Sequence, residues 1–274
     1  MFPIHCGQFI LSFDRPAVLG ILNVTPDSFS DGGKFFTPTD AIAHARALAA
    51  AGADIIDMGG ESSRPGSPRI STDEELRRIT PVLDVLTKEL EIPISIDTMK
   101  PEVADECLRR GAHIINDVSG LRDPAMREVI ARHRASAIIM HMQGTPDTMQ
   151  KNPQYENVVE EIITYVEKQA ALAREAGIEQ IIIDPGIGFG KTVQHNLAIL
   201  RHLGEFRRLG YPVMIGVSRK SFLQKISGTA TGDAAEATLA AEAIAGYNGA
   251  DIIRTHDIAG ARRALAIADA IRNV

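Results

Sequence analysis

The feature that most constrains this chain is an alternation sustained from end to end, in which a short apolar run is followed by a longer amphipathic segment. The runs are Ala17–Leu22, Asp54–Met58, Ile94–Ile96, His113–Ile115, Ala137–Met140, Gln180–Ile183, Val213–Val217 and Asp251–Ile253. They are rich in Ile and Val and lack apolar–polar alternation, so they read as strands buried on both faces, as in a parallel sheet. Between them Ala41–Ala51, Glu74–Leu90, Val158–Glu175 and Ala234–Ala245 carry a helical period. Eight strands with right-handed helical crossovers can close on themselves. The expected fold is therefore α/β, a (β/α)8 TIM barrel. Its 274 residues suit a single domain, 1–274, since a barrel needs about 250. The stretch His5–Asp14 stands outside the alternation and reads as a short N-terminal β-hairpin covering the barrel bottom.

Helix ends carry punctuation of their own. Thr37-Pro38 offers a cap followed by proline at the first helical position, and Gly52 closes that helix. Ser71-Thr72-Asp73-Glu74 has the spacing of a capping box. Gly52-Ala53-Asp54-Ile55-Ile56-Asp57 is echoed by Gly111-Ala112-His113-Ile114-Ile115-Asn116 and by Gly249-Ala250-Asp251-Ile252-Ile253-Arg254. Each echo puts a polar residue at the same offset, so Asp57, Asn116 and Arg254 should enter the barrel mouth at similar depth. Gly177 precedes Asp184 by two residues more, which keeps the parity.

Asn23, Glu61, Asp97, Asn116, His141, Asp184, Lys220, Arg254 and His256 all follow apolar runs, where a barrel places its working groups. Any one of them could merely cap a helix, but burying the whole set without a ligand would cost kcal/mol for each group. Two long polar loops, Asn23–Gly33 and Gly60–Pro68, add Arg64 to this face. Asp184–Thr192 looks like a phosphate loop, yet Pro185 stands where the first glycine of that motif belongs, so ATP binding is unsupported. Ser218-Arg219-Lys220-Ser221 and Arg254-Thr255-His256-Asp257 follow the last two strands, where barrels often hold phosphate, and their donors suit an oxyanion. No Cys or His pattern suits zinc. Asn23 with its acidic loop would suit magnesium, which keeps waters and bridges phosphates.

A net charge of −6 argues against nucleic acid as a partner, so any anion must meet a local cluster of cations. Cys6 and Cys107 form no disulfide framework, which makes a reducing cytoplasm the expected setting. The first residues show no export signal, and no apolar run nears the roughly 18 residues of a membrane span.

Together these motifs resemble the dihydropteroate synthase family of folate biosynthesis, along essentially the whole chain. The resemblance rests on Leu22–Gly33, Gly59–Gly66, Ile96-Asp97-Thr98, Asn116-Asp117, Met140-His141-Met142, Asp184–Lys191, Ser218-Arg219-Lys220 and Arg254–Asp257. One departure is Ser63, where the family usually has Thr. The resemblance implies a Mg2+-assisted transferase that condenses 6-hydroxymethyl-7,8-dihydropterin diphosphate with 4-aminobenzoate, acting as a homodimer. It implies that Asp97, Asn116 and Asp184 hold the guanine-like edge of the pterin, with Lys220 on its carbonyl and Met140 on its face. Asn23 resembles the magnesium ligand, and Ser63, Arg64, Arg254 and His256 hold the diphosphate. Phe29, Pro65 and Phe189 form the benzoate slot, with Ser221 meeting the carboxylate. Asp97, Lys220, Arg254 and His256 would carry the chemistry.

Three rivals stand beside this reading. A methyltetrahydrofolate–corrinoid methyltransferase barrel would explain a pterin floor but not Arg64 and the first loop. A Schiff-base aldolase could use Lys220. A non-catalytic binding protein would lack side chains that this sequence keeps.

Overall fold

The computed structural model describes residues 3–25, 37–62, 67–228 and 234–274. Phe29, Ser63, Arg64 and Pro65, each assigned a role from sequence, lie outside the described residues. An antiparallel hairpin, β1 (Ile4–Cys6) and β2 (Phe9–Leu11), precedes the parallel strands. Those are β3 (Ala17–Asn23), β4 (Ile55–Gly59), β5 (Ile94–Asp97), β6 (Ile114–Asp117), β7 (Ser136–Met140), β8 (Ile181–Asp184), β9 (Met214–Ile215) and β10 (Ile252–Thr255). The helices are α1 (Pro38–Ala50), α2 (Thr72–Glu89), α3 (Pro101–Arg109), α4 (Pro124–His133), α5 (Val158–Glu175), α6 (Val193–Arg201), α7 (Ser221–Ser227), α8 (Ala235–Tyr247) and α9 (Ile258–Arg272).

Strand order runs β8-β7-β6-β5-β4-β3-β10-β9. Its two ends meet where Ile183 bridges Val213, with the Ile183 amide donating to the Pro212 carbonyl at 2.9 Å, so the sheet closes into the expected barrel. The seventh barrel strand is shorter than the run Val213–Val217 suggests. It pairs with β10 only at Met214 and Ile215, and the chain leaves the ladder at Gly216. Elsewhere the ladder reaches further than the apolar runs. Parallel pairing holds Asp97 beside Gly59 and Asn116, and Asp184 beside Met140. Asp97 and Asp184 are thus fixed as the last residues of their strands and Asn116 as an interior residue of β6, not as the first of loops.

Caps follow the sequence with one exception. Thr37 and Asp40 form a reciprocal capping box before Pro38. Ser71 accepts from the Glu74 amide at 3.2 Å, but the Glu74 carboxylate does not turn back to close a box. It takes Arg77 at 2.8 Å and Arg78 at 2.7 Å, since two guanidiniums on the next turn offer stronger bonds than one amide. Gly52, Gly111, Gly177 and Gly249 all take φ between 95° and 108°, the left-handed helix exit that the repeated motif implied.

Side-chain parity sorts the barrel interior into layers. Leu19, Ile55, Ile114, Ile138, Ile182, Met214 and Ile252 pack together at the bottom, plugged by Ile4, Cys6 and Leu11 of the hairpin. The hairpin is tied there by Ser136 Oγ to the His5 carbonyl and by the His5 amide to Gln180. Two residues further along, the inward side chains become Asp57, Asn116, Asp184 and Arg254, a polar layer over an apolar plug. No helix among the described residues is long and apolar enough to cross a membrane.

Candidate functional site

At the carboxyl ends of the strands a cleft of about 780 Å³ opens, walled by Asn23, Glu61, Asp97, Phe189, Lys220, Ser221, Arg254 and His256 among others. Its base is one connected network. Arg254, on β10, donates from Nε to Asp57 Oδ2 at 2.7 Å and from Nη2 to Asp97 Oδ2 at 2.8 Å. Asn116 Nδ2 donates to the same Asp57 oxygen at 3.1 Å. Asp57, Asn116 and Arg254 thus converge as the repeated motif predicts, and Asp97 of β5, which stands outside that motif, joins them through the guanidinium.

The network is dense in negative charge. Burial pushes the Asp97 carboxyl up to about 7, with Asp57, Glu75 and Asp117 adding to the rise against the pull of Arg254. Burial opposes the Arg254 charge, but Asp57 and Asp97 outweigh it and hold the guanidinium above its ordinary value. Asp57 is fully buried, and its Oδ1 has no partner among the described residues. An unpaired buried carboxylate oxygen is costly, so the base is ready to accept hydrogen bonds.

Asn116, Met140 and Asp184, placed at the pterin site from sequence, lie just beneath the cleft, at 2%, 2% and 5% exposure. Asp184 ends β8, and its Oδ1 accepts from the Gly186 amide at 2.7 Å. Burial raises its carboxyl above the usual range, with Lys220 the main opposing charge. Lys220 covers this pocket. Its Nζ donates to the Ile187 carbonyl and stands 4.9 Å from the centre of the Phe189 ring. Burial lowers Lys220 to about 8, opposed by Asp184 and assisted by Arg254. Gly188, at φ +82°, is required here, because a Cβ would stand 2.9 Å from Lys220 Cδ. Met140 packs with Val118, Met142 and Met149 against Phe189 and Met99, a soft, polarizable surface suited to a flat ring.

Nearer solvent, Ser218 Oγ and His256 Nδ1 share a hydrogen bond of 2.9 Å. Ser221, exposed at the start of α7, borders the same wall. Arg254, expected to hold the diphosphate, has two of its N–H groups committed to Asp57 and Asp97. The hydrogen-bonded pair of His256 and Ser218 lines the same cleft.

Asn23, the expected metal ligand, ends β3 and lines the cleft. Among the described residues no group of three or more His, Cys, Asp or Glu could hold an ion. The Asn23 carboxamide would offer magnesium one neutral oxygen, with the remaining ligands left to phosphates and water.

Sequence reasoning missed Lys100, Glu75 and Lys191. Lys100 Nζ joins Glu61 to Glu75, the latter at 2.5 Å and fully buried. These groups come from the turn before α3, the loop after β4 and α2, and no local spacing announces their meeting. Lys191 is visible in the glycine-rich motif but has no role to fill there.

Comparison with known proteins agrees with this geometry. The family described as pterin binding enzyme matches residues 19–256. The chain is 44% identical over 262 residues to the dihydropteroate synthase of Escherichia coli, covering 95% of this chain and 93% of that one. It is 45% identical over 278 residues to the dihydropteroate synthase of Synechocystis sp., covering 98% and 95%. The solved Yersinia pestis dihydropteroate synthase with a sulfonamide drug complex superposes at a TM-score of 0.95, with 38% identity and 100% coverage of both chains. The Xanthomonas albilineans dihydropteroate synthase in complex with 7,8-dihydropteroate superposes at 0.90, with 38% identity and 99% coverage of both.

Proposed function

We infer the activity from membership: the chain belongs to the dihydropteroate synthases among the pterin binding enzymes, and it condenses 6-hydroxymethyl-7,8-dihydropterin diphosphate with 4-aminobenzoate. The products are 7,8-dihydropteroate and pyrophosphate. The observation that carries this reading to the chemistry is the base of the cleft, where Asp57, Asp97, Asn116 and Arg254 form one network above an apolar plug. A guanine-like pterin edge presents adjacent N–H donors, and Asp184 and Asp97 are the carboxylates that would accept them, with Asn116 serving either sense.

Bond breaking is dissociative in character. The bond between the exocyclic methylene and the diphosphate oxygen breaks, its electron pair leaves on pyrophosphate, and a delocalised pterin cation remains beside Asp97. The amine nitrogen then forms the new bond to that carbon and loses a proton. His256, Ser218 and Arg254 border the space into which the diphosphate would depart. Magnesium, held through Asn23, supplies charge neutralisation to the diphosphate when bound. Phe189, Lys220 and Ser221 line the cleft on the side we assign to the amine. Exposed Ile244 and Tyr247 on α8 and Ile267 and Ile271 on α9 support pairing of two copies into a homodimer. The two buried free thiols, Cys6 and Cys107, support a reducing cytoplasmic setting.

Incubating the protein with both substrates and following dihydropteroate by mass spectrometry tests the reading. Absence of that product, or methyl transfer from methyltetrahydrofolate to a corrinoid, would overturn it.

A pH profile follows from the two shifted groups. Asp97, raised to about 7, is ionised only above that pH, so activity falls as the pH drops through it. Lys220, lowered to about 8, loses its charge as the pH rises through that value. The expected kcat/KM is bell-shaped with its maximum between these limbs, since this parameter reports the free enzyme. A flat profile from about pH 6 to about pH 9 would contradict the assignment of these groups.

Because the segment carrying Phe29 follows Asn23 in sequence and the segment carrying Pro65 also carries Arg64, the benzoate slot should depend on the diphosphate. Calorimetry is expected to show weak 4-aminobenzoate binding to the free enzyme and markedly tighter binding with magnesium and pyrophosphate present. Equal affinity in the two conditions would mean that the slot is preformed.

A further inference from the structure

Lys191 takes no part in the mechanism above, yet it is among the most confined charged side chains of the molecule. It is 4% exposed, and its Nζ has three acceptors: His141 Nδ1 at 3.0 Å, the His141 carbonyl at 3.2 Å and the Phe189 carbonyl at 2.9 Å. Burial pulls the amine well below its ordinary value, and in the tautomer that leaves His141 Nδ1 free to accept, the three contacts of this cage answer every hydrogen of its charged form. His141 is itself 6% exposed, set edge-on to Tyr165 at 4.9 Å, and its backbone amide pairs with the Asp184 carbonyl. The cage therefore joins the loop after β8 to the end of β7.

The loop needs such a tie, because it turns through left-handed φ at Gly186, Gly188 and Gly190. A Cβ at Gly186 would stand 1.9 Å from the His141 carbonyl oxygen and 3.3 Å from Lys191 Nζ, so the backbone runs tight against the cage. Phe189 sits at the middle of this loop, and its ring meets Lys220 on the wall of the cleft.

We propose that Lys191 is a positioning residue for the amine substrate: by joining the Phe189 carbonyl to the end of β7, it fixes the Phe189 ring as one wall of the aminobenzoate slot. This rests on the reading of the cleft as a dihydropteroate synthase site. Neutralising or removing Lys191 frees the loop while leaving the network of Asp57, Asp97 and Arg254 intact, and Asp184 keeps Lys220 as its main counter-charge, so the larger loss falls on the amine.

Steady-state kinetics of Lys191→Met test this. The KM for 4-aminobenzoate is expected to rise by about tenfold or more, with kcat and pterin-analogue affinity changing by less than about threefold. Lys191→Arg, whose planar head cannot meet three acceptors around one point in so close a space, is expected to raise the same KM by several-fold. That variant carries the test if the Met variant does not fold. In a Phe189→Ala background Lys191→Met should add no further rise, since both changes remove the same wall. An unchanged KM in a folded variant, equal losses for amine and pterin, or additive effects with Phe189→Ala would each overturn the proposal. The parent enzyme is assayed alongside. Failure of the parent to form dihydropteroate would strike the functional reading, whereas an active parent with an unsplit variant would strike only the role of Lys191.

Discussion

Asp184→Ala is expected to abolish pterin binding, by more than about 100-fold, in a protein that stays folded. The size follows from the loss of a carboxylate accepting adjacent N–H groups, each such charged bond being worth about 1.5–3 kcal/mol. The intact fold follows from the direction of the shift. Burial raises the Asp184 carboxyl above its unfolded value, so at neutral pH the ionised group opposes folding, and its removal relieves that cost. Locally the substitution removes one hydrogen bond, the one that Asp184 Oδ1 accepts from the Gly186 amide. The group is thus held for a ligand at some expense to stability. Calorimetric titration with a pterin analogue, beside thermal unfolding of the same sample, decides the matter. Tight binding to the folded variant would remove Asp184 from the pterin site.

Arg254→Ala carries the second large effect, and here stability and function fall together. The guanidinium is the counter-charge of Asp57 and Asp97, and Asp57 is fully buried. Breaking a buried pair leaves an uncompensated charge and costs about 3–5 kcal/mol. With Arg254 gone, Asp97 loses the charge that holds its carboxyl down, so its already raised value climbs further. A raised carboxyl is stabilising only while protonated, so the variant should be most impaired at high pH and should recover stability as the pH falls. Binding should show a second signature. The diphosphate substrate should weaken far more than a pterin lacking phosphate, because Arg254 lines the cleft beside His256 and Ser218, where we propose the diphosphate binds. Equal losses for the two ligands would confine Arg254 to the carboxylate network. A variant as stable as the parent at every pH would show that the pairing with Asp57 and Asp97 matters little.

The barrel and its polar layer are legible in the sequence because both depend on short-range periodicity. A glycine closing a helix, an Ile-Ile strand and a polar residue at a fixed offset place Asp57, Asn116 and Arg254 in one layer, and they meet there. What the layer does with its charges is less legible. Arg254 reads from sequence as an anion clamp, but two of its donors face carboxylates 197 and 157 residues away, and local spacing gives no sign of that. The Lys100 bridge between Glu61 and Glu75 is of the same kind, assembled from three separate elements. Lys191 is hidden differently, since its motif resembles a phosphate loop and, once Pro185 excludes that, its spacing assigns the lysine no partner. The capping spacing at Ser71 predicts the cap but not the open box, because arginines on the following turn compete for Glu74.

Expulsion of pyrophosphate from a pterin diphosphate, with transfer of the pterin carbon to 4-aminobenzoate, is the chemistry on which every residue role above depends. Continuous measurement of pyrophosphate release by the purified protein, with and without 4-aminobenzoate and with and without magnesium, tests it most directly. Release is expected to require magnesium, to proceed to completion only with the amine, and to match dihydropteroate mole for mole. Release that is indifferent to 4-aminobenzoate, or that yields no dihydropteroate, would contradict it.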